Sequence, residues 1–427
     1  MIETDISNCW NAIDFHSLME MESRLADAHA KLAAGTGHGN DLLGWYRLPH
    51  GTEDQTTDRI RRTALKIRAN SKALVVIADA PVLAGIRAAV EYMQGSLYNE
   101  KAEVRLYYAG DHLSSRALND IADHLRGIDF SVNIIARSGD DIETAVAART
   151  FRWLLNRRYG PEQARERVYL TTDSNRGKLH VMAVEEGLTT LEMPGGIAQG
   201  FSVLSACGLL PMAVAGLDIR ALMAGARQEE RELDERSMDN PAWQYAGVRT
   251  LLYESGRHTE LLAGYEPQLR AFGCWWQQLM NGSTGWEGSG LLTVPVLMPS
   301  DAYLMSGMLS ASGSSGLFET LLAFQPDSKS LSIELDWKNL DDMNCLSGVS
   351  ISSIMDTACE AMLEHQTDAG LPVMNIRCSR MDATTLGQLF YFFELVAALS
   401  GYLLDVNPFF SGEREFVTQT VRRVLQK

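Results

Sequence analysis

The stretch Ser71 to Arg87, SKALVVIADAPVLAGIR, decides how the fold begins. Its apolar run, residues 73–77, stops at Ala78-Asp79-Ala80-Pro81, and apolar periodicity restarts at Val82. This order predicts a buried strand, a tight turn and a helix, which together open a parallel α/β domain. The turn in such folds is usually rich in glycine, so that backbone N–H groups can close on an anion. Here the turn holds Asp79 and Pro81, so the position of a binding site is predicted without its usual anion chemistry.

The same alternation of strand and helix continues along the chain and predicts two doubly wound parallel-sheet domains. In the first half, strands are expected at 104–109, 130–135, 167–172 and 189–193. In the second half, strands are expected at 291–298, 331–336 and 372–377, with helices near 302–325, 348–365 and 384–404. The predicted organisation is a helical N-terminal arm (1–54), a first α/β domain (55–215), a helical connection (216–244), a second α/β domain (245–405) and a C-terminal helix (406–427).

Charge and composition exclude several classes of function. The net charge of −16 argues against nucleic-acid and anionic-membrane partners. The six cysteines are scattered without a CxxC pair, which favours small buried hydrophobes over disulfides or zinc ligands. Acidic residues stand near the N-terminus where a signal peptide would be basic and then apolar, and the longest apolar segment, 201–216, is too short to span a bilayer. A cytoplasmic protein without a cofactor is therefore expected.

Acidic residues follow several strands of the first predicted sheet. Asp79, Asp140, Asp141 and Asp173 would all lie at one edge of that sheet. A cluster that binds a divalent cation or an amine is one interpretation, although no histidine joins the pattern. The alternative for Asp140 and Asp141 is a helix N-cap and a first-turn acid, which is favourable by itself. Ser138 has no neighbouring base that would make it a nucleophile and is interpreted as a turn residue.

From Trp45 onward, a series of ordered motifs resembles the bacterial branch of the glucose-6-phosphate isomerase family. The motifs are Trp45–Pro49, Ser138-Gly139 with Glu143, Phe201–Leu204, Gly208–Gly216, Asn240–Ala246, Glu266-Pro267 with Trp275-Trp276, Leu317–Thr320, and Ser400–Leu404 with Asn407–Phe409. The resemblance implies two domains of the sugar-isomerase (SIS) fold, activity in glycolysis and gluconeogenesis, and a homodimer in which a histidine from one subunit completes the active site of the other.

The residues that carry the family's chemistry are replaced in this sequence. Aldose–ketose isomerisation needs a base between C1 and C2, a group that opens the ring, and a cation beside the enediolate. The resemblance places the glutamate base at Gly282 and the ring-opening histidine at Tyr303. It places the arginine at Gly200 and, across a gap of one residue, the C-terminal lysine at Val417. No catalytic residue of the family is therefore expected to remain at these four positions.

The family's phosphate loop, Ser-Gly-Thr-Thr-Thr-Glu, corresponds to 138–143, where the sequence is Ser-Gly-Asp-Asp-Ile-Glu. The ligand-binding positions carried over are thus Ser138, Gly139, Asp140 and Asp141, together with Asp79 in the glycine-rich turn. Two acids at this loop oppose a phosphate dianion: at an effective dielectric of about 20, unit charges about 4 Å apart repel by roughly 4 kcal/mol. Loss of sugar-phosphate binding is expected.

Two classes of function follow from the resemblance. The favoured hypothesis is a non-catalytic binding, regulatory or assembly subunit that forms a homodimer, or a heterodimer with an intact isomerase paralogue, with a small sugar as an optional ligand. The alternative is an enzyme, either an active isomerase of glucose 6-phosphate and fructose 6-phosphate or a repurposed sugar-binding enzyme. The favoured hypothesis depends on base, histidine, arginine, lysine and phosphate loop being replaced together, because each general acid or base typically supplies about 10²–10⁴-fold.

Overall fold

The computed structural model describes residues 2–285, 289–302, 316–325, 330–409 and 414–425. The strands are β1 (Glu3–Asn8), β2 (Ala73–Ile77), β3 (Arg105–Ala109), β4 (Phe130–Ile135), β5 (Val168–Thr172), β6 (Thr189–Glu192), β7 (Thr259–Gly264), β8 (Leu292–Leu297), β9 (Leu317–Phe324) and β10 (Val373–Cys378). The α-helices in these ranges are α1 (Phe15–Ala34), α2 (Leu48–Gly51), α3 (Asp54–Asn70), α4 (Ala80–Gln94), α5 (Tyr98–Lys101), α6 (Ser115–His124), α7 (Ile142–Arg165), α8 (Lys178–Glu186), α9 (Ala206–Val214), α10 (Ile219–Glu232), α11 (Pro241–Glu254), α12 (Leu269–Thr284), α13 (Ile351–Asp368), α14 (Ala383–Leu403) and α15 (Arg414–Leu425).

The strands form two five-stranded sheets. The first has the order β3-β2-β4-β5-β6 and is parallel throughout. The second has the order β1-β10-β9-β7-β8, in which β7 to β10 are parallel and β1 pairs antiparallel with β10 at the edge. Two doubly wound parallel α/β units are therefore confirmed. In each sheet the chain reverses its direction of winding beside a central strand, between β2 and β4 in the first and between β7 and β9 in the second.

The opening stretch folds as its pattern predicts. All five residues of β2 are buried, as expected for a strand covered on both faces. Asp79 is the N-cap of α4, where its Oδ1 accepts a hydrogen bond from the Val82 N–H at 3.2 Å. Pro81 stands in the first turn of that helix, where its missing N–H is not needed. The turn that lacks glycine is thus capped by its own carboxylate.

Close helix pairs join the two units. Helix α4 of the first unit packs antiparallel to α12 of the second. Near the C-terminus of α4, the ring of Tyr92 lies 6.4 Å from that of Phe272 in the first turn of α12. Earlier in α4, a Cβ on Gly85 would lie 3.4 Å from Trp275, which comes later in α12. Helices α10 and α14 cross so closely that a Cβ on Gly387 would lie 1.9 Å from the Leu222 carbonyl oxygen. Glycine is therefore required at this crossing.

Helix α14 forms the centre of the core. In the part of the chain that the structure describes, it is the one helix long and apolar enough to cross a membrane, and 94% of its most apolar window is buried within the protein. Its apolar surface is therefore occupied by packing against its neighbours. The buried rings of Phe390 and Phe393, for example, contact Trp275 and Trp276 of α12.

Several predicted elements of the second unit are wrong. Residues 331–336 do not form a strand and contribute only an isolated bridge between Ser332 and Ser350. The helix expected near 302–325 is contradicted at its end by β9, and residues 303–315 lie outside the described ranges. Strand β7 was not predicted, and the N-terminal arm begins with β1 rather than a helix. The proposed domain boundaries stay a prediction.

Candidate functional site

The candidate site lies at the carboxyl edge of the first sheet, where ligands bind in doubly wound folds. Asp79 follows β2, Ser138 follows β4, and Asp173 follows β5. Because these strands are parallel neighbours, the three turns meet at one edge. The point of reversal between β2 and β4 lies among them. We call the region formed by residues 78–80, 137–141 and 172–178 together with Arg422 the first cleft, and we add Gly200 and Gly282 because the resemblance to the family assigns them to the active site.

The loop after β4 has a conformation fixed by local contacts. The Ser138 Oγ accepts a hydrogen bond from the Asp140 N–H at 3.3 Å, and the Ser138 carbonyl accepts one from the Lys178 N–H at 3.0 Å. Gly139 has a φ of 78°, and a Cβ there would lie 2.7 Å from Leu179. Glycine is thus needed on both conformational and steric grounds. Ser138 therefore lies in a loop whose shape these contacts fix, and its assignment as a ligand-binding position stays a prediction.

Asp140 is not an isolated anion. Its carboxylate accepts a hydrogen bond from the Lys178 ammonium group, and the Arg422 guanidinium lies 3.8 Å from its Oδ1. Arg422 also donates to the Asp140 carbonyl oxygen at 2.7 Å, which holds α15 against the loop. The hydrogen bond from Lys178 holds the pKa of Asp140 below its usual value. Two basic residues therefore pair with Asp140, and the expected loss of sugar-phosphate binding at this loop stays a prediction.

The other acids of the first cleft also have local roles. Asp173 accepts hydrogen bonds from the Asn175 N–H at 2.9 Å and the Arg176 Nε at 3.1 Å, and the backbone bond lowers its pKa. Asp141 occupies the N-cap position of α7, although its side chain makes no capping hydrogen bond. Within the described ranges, no group of three or more His, Cys, Asp or Glu residues is arranged to hold a metal ion. The structure does not support the acidic cluster as a cation site.

Gly282 and Gly200 are two of the positions to which the resemblance assigns the family's catalytic residues, and they lie on facing segments. Gly282 stands in the last turn of α12, and a Cβ built on it would meet no atom within 4 Å. Gly200 lies in a 3-10 turn, Gln199–Phe201, and its Cβ would lie 4.0 Å from Leu279, one turn before Gly282. Both positions therefore lack a functional group, and open space remains where the Gly282 side chain would extend.

The other two positions are less fully described. Tyr303 lies outside the described residues. Val417, to which the resemblance assigns the family's lysine, falls in α15, and Arg422 of that helix reaches the Asp140 loop. The structure describes the backbone at Val417 but not its side chain.

Three basic residues of the first cleft were not identified from the sequence. They are Lys178 and Arg422, which pair with Asp140, and Arg137, which donates to the Ile197 carbonyl at 2.8 Å. Arg137 directly precedes Ser138, so its place beside the loop could have been inferred from the sequence. The approach of Arg422 depends on how the C-terminal helix docks, and no local pattern encodes it.

Comparison with known proteins gives a consistent result over the whole chain. No protein-family model matches. Glucose-6-phosphate isomerases of Staphylococcus saprophyticus and Staphylococcus aureus are each 37% identical over 427 residues, covering 100% of this chain and 96% of the relative. Among solved structures, a hypothetical protein of Thermus thermophilus matches with a TM-score of 0.88 at 24% identity, covering 100% of both chains. A glucose-6-phosphate isomerase from Chlamydia trachomatis matches with a TM-score of 0.81 at 15% identity, covering 100% of this chain and 88% of that one, and both likenesses concern the fold.

Proposed function

This chain belongs to the glucose-6-phosphate isomerase family, and we propose that it is a cytoplasmic member that does not isomerise sugar phosphates and acts as a binding or assembly subunit. The observation that carries the proposal is the end of α12. The resemblance to the family places at Gly282 the glutamate base that moves the proton between C1 and C2. Here this position has no side chain, and a Cβ on it would extend into open space.

The residues beside Gly282 do not supply a substitute base. The Asn281 Oδ1 accepts hydrogen bonds from the Thr293 N–H at 3.0 Å and the Thr293 hydroxyl at 2.9 Å, so this amide is engaged in the scaffold. Ser283 is only 1% exposed. A general base must come within about 2.6–3.2 Å of the proton that it removes, directly or through one water. Asn281 fails this requirement because its amide is not a base and is engaged by Thr293, and Ser283 fails it because its hydroxyl is buried.

The arginine position shows the same loss. Gly200 faces Leu279 rather than carrying a guanidinium group. An enediolate formed in this cleft would lack the positive charge that the family's arginine supplies there. Because removal of a single preorganised electrostatic group typically costs about 10²–10³-fold in kcat, the losses at Gly200 and Gly282 together reduce turnover to a trace.

A coupled assay of glucose 6-phosphate and fructose 6-phosphate interconversion tests this proposal. We expect no turnover above a trace for the wild type, and no rescue by Gly282→Glu alone, because the cation at Gly200 would still be missing. Turnover within the usual enzyme range of about 1–10³ per second would refute the proposal. Glu287 is the next carboxylate along the chain after Gly282. If the wild type does turn over, loss of that turnover in Glu287→Gln would identify Glu287 as the base.

An active sugar-phosphate isomerase is the second candidate. The observation in its favour is the group of basic residues at the first cleft, since Lys178 and Arg422 converge on the Asp140 loop and Arg137 lies beside it. Basic residues at this edge suit a phosphorylated ligand. The coupled assay separates the two candidates, because turnover supports the second candidate and its absence supports the first.

We also propose that the chain associates with a second subunit, either its own copy or an intact isomerase. The support is a run of strongly exposed apolar side chains: Leu331 (75% exposed), Leu335 (70%), Trp337 (84%) and Leu340 (84%). Several large apolar side chains exposed within ten residues of chain suit a protein interface. Light scattering at micromolar concentration should give the mass of a dimer, and Trp337→Glu should weaken it. A monomer mass for the wild type, unchanged on adding an intact isomerase, would contradict this proposal.

A further inference from the structure

A second cavity, of about 840 Å³, lies at the carboxyl edge of the second sheet. Its described lining comes from residues that follow β7, β9 and β10, from one face of α13, from the last turns of α4 and from the start of α12. The second sheet reverses its winding between β7 and β9, and both strands end at this cavity. This is the place where doubly wound sheets bind ligands, and the volume lies within the usual range of about 300–1,000 Å³ for small-molecule sites.

The second cavity is separate from the first cleft. Asp79 caps the N-terminus of α4 at the first cleft, whereas Tyr92, near the C-terminus of the same helix, lines the second cavity. Thirteen residues of helix separate them, which corresponds to about 20 Å. Helix α12 runs in the opposite direction, so that Leu269 at its start lines the second cavity and Gly282 at its end belongs to the first cleft.

The polar side chains that line the second cavity are available to a ligand. Six of them make no side-chain hydrogen bond or ion pair with any other described residue: Gln268, Gln325, Ser352, Asp356, Ser379 and Arg380. Tyr92 also borders the cavity and is only 3% exposed, and its hydroxyl has no hydrogen-bond partner among the described residues. A buried hydroxyl without a partner costs free energy, which makes this wall of the cavity polar and unsatisfied.

The charges of the lining exclude some ligand classes. Glu266, Asp356 and Asp382 are acidic, and Arg380 is the one basic residue in the described lining. The negative balance disfavours phosphates and other anions. No described group of three or more His, Cys, Asp or Glu residues is arranged to hold a metal ion, here or elsewhere. The ligand must therefore be neutral or positively charged.

The remaining lining points to one class. Amides, hydroxyls and carboxylates provide both donors and acceptors, and the rings of Tyr92, Tyr265 and Phe324 provide apolar faces. Hydroxyl groups of a ligand can donate to the carboxylates and accept from the amides and Arg380. We propose that the second cavity binds a neutral polyhydroxylated molecule, namely an unphosphorylated sugar or polyol. This proposal is independent of whether the first cleft catalyses isomerisation.

Calorimetric titration of the full chain with glucose, fructose, sorbitol, glucosamine and glucose 6-phosphate tests the proposal. We expect binding of at least one neutral compound. The variant Ser379→Trp should abolish it by filling the cavity, whereas Ser115→Trp, at an exposed serine of the first unit, should bind as the wild type does. Asp356→Asn should weaken binding by about 10- to 150-fold, the usual range for loss of a hydrogen bond to a charged group.

Four further results test this proposal. Tyr92→Phe should leave the melting temperature of the free protein unchanged or raise it, because the hydroxyl has no described partner to lose. Binding of glucosamine alone would overturn the neutral class, and binding of glucose 6-phosphate alone, unaffected by Ser379→Trp, would place the ligand in the first cleft and overturn the site. Absence of binding by every neutral compound at tens of millimolar would also overturn it.

Discussion

Replacing Asp140 and Asp141 together by threonine should create anion binding at the first cleft. In the wild type, the Asp140 carboxylate occupies the ammonium group of Lys178 and lies 3.8 Å from the guanidinium of Arg422. The double variant removes two acids and leaves both basic residues facing the loop. Arg422 keeps its 2.7 Å hydrogen bond to the carbonyl oxygen of residue 140, so α15 should stay docked.

The size of the effect follows from exposure. The side chains of Asp140 and Lys178 are 46% and 65% exposed, so solvent screens their interaction strongly. At exposed sites an ion pair contributes at most about 1 kcal/mol. Loss of Asp140 frees Lys178 and Arg422, and loss of Asp141 removes a repelling acid. Together these changes should strengthen the binding free energy of a phosphate dianion by about 2–3 kcal/mol, which corresponds to a roughly 30- to 150-fold lower dissociation constant.

A thermal-shift titration with inorganic phosphate and with glucose 6-phosphate measures this gain, because a ligand that binds only the native state raises its melting temperature. The matched control is Asp120→Thr with Asp239→Thr, which removes two exposed acids elsewhere and so makes the same change in net charge. Adding Lys178→Ala to the double variant should cancel most of the gain. The reasoning is refuted if millimolar glucose 6-phosphate already stabilises the wild type as strongly, or if the control variant responds equally.

Two other predictions concern the scaffold. Burial raises the pKa of Glu229 to about 8, and its Oε2 has no described partner; since the unfolded carboxyl ionises from about pH 4.5, the native state loses stability as the pH rises from about 4.5 to 8. Glu229→Gln should therefore raise the unfolding free energy at pH 8 by about 1–3 kcal/mol, measured by chemical denaturation, and this gain should shrink toward pH 5. The exposed control Glu235→Gln should show neither the gain nor its pH dependence. Gly387→Ala should lower the unfolding free energy by about 1–3 kcal/mol or more in chemical denaturation, because the added Cβ would lie 1.9 Å from the Leu222 carbonyl oxygen. The control Gly282→Ala, which meets no atom within 4 Å, should be neutral or mildly stabilising. Equal stabilities of the two variants would contradict the packing argument.

The sequence predicts the first sheet better than the second for a physical reason. Strands such as β2 are short apolar runs that end at clear turn residues, so periodicity and punctuation agree. Strand β9, Leu317–Phe324, is a buried run that holds Glu319 and Thr320, and its pattern is compatible with a helix. The segment 331–336 alternates polar and apolar residues like a strand, yet Leu331 and Leu335 are exposed. Alternation indicates a strand only where a neighbouring strand pairs with it.

Some features of the candidate site could be predicted from the sequence, and others could not. Positions carried by strand ends, such as Asp79 and Ser138, were predicted because parallel strands bring their carboxyl ends to one edge. The partners of Asp140 were not predicted, because Lys178 comes from the next βα turn and Arg422 from the last helix of the chain. Charge compensation of this kind depends on tertiary docking, so a sum of the charges within one loop omits the two basic residues that pair with Asp140.

The contacts of Asp140 also bear on what this loop does. An acid inserted into an anion-binding loop without other change would face only repulsion and would leave the neighbouring basic residues free. Here the carboxylate takes the place of an external anion: it accepts from Lys178, it attracts Arg422, and Ser138 holds its backbone N–H. The first cleft thus contains an internal anion, Asp140, whose contacts with Arg422 hold α15 against the loop. A loop satisfied in this way favours a structural role for the first cleft, and it leaves the second cavity, whose polar side chains have no such partners, as the part of the molecule better prepared to bind a small molecule.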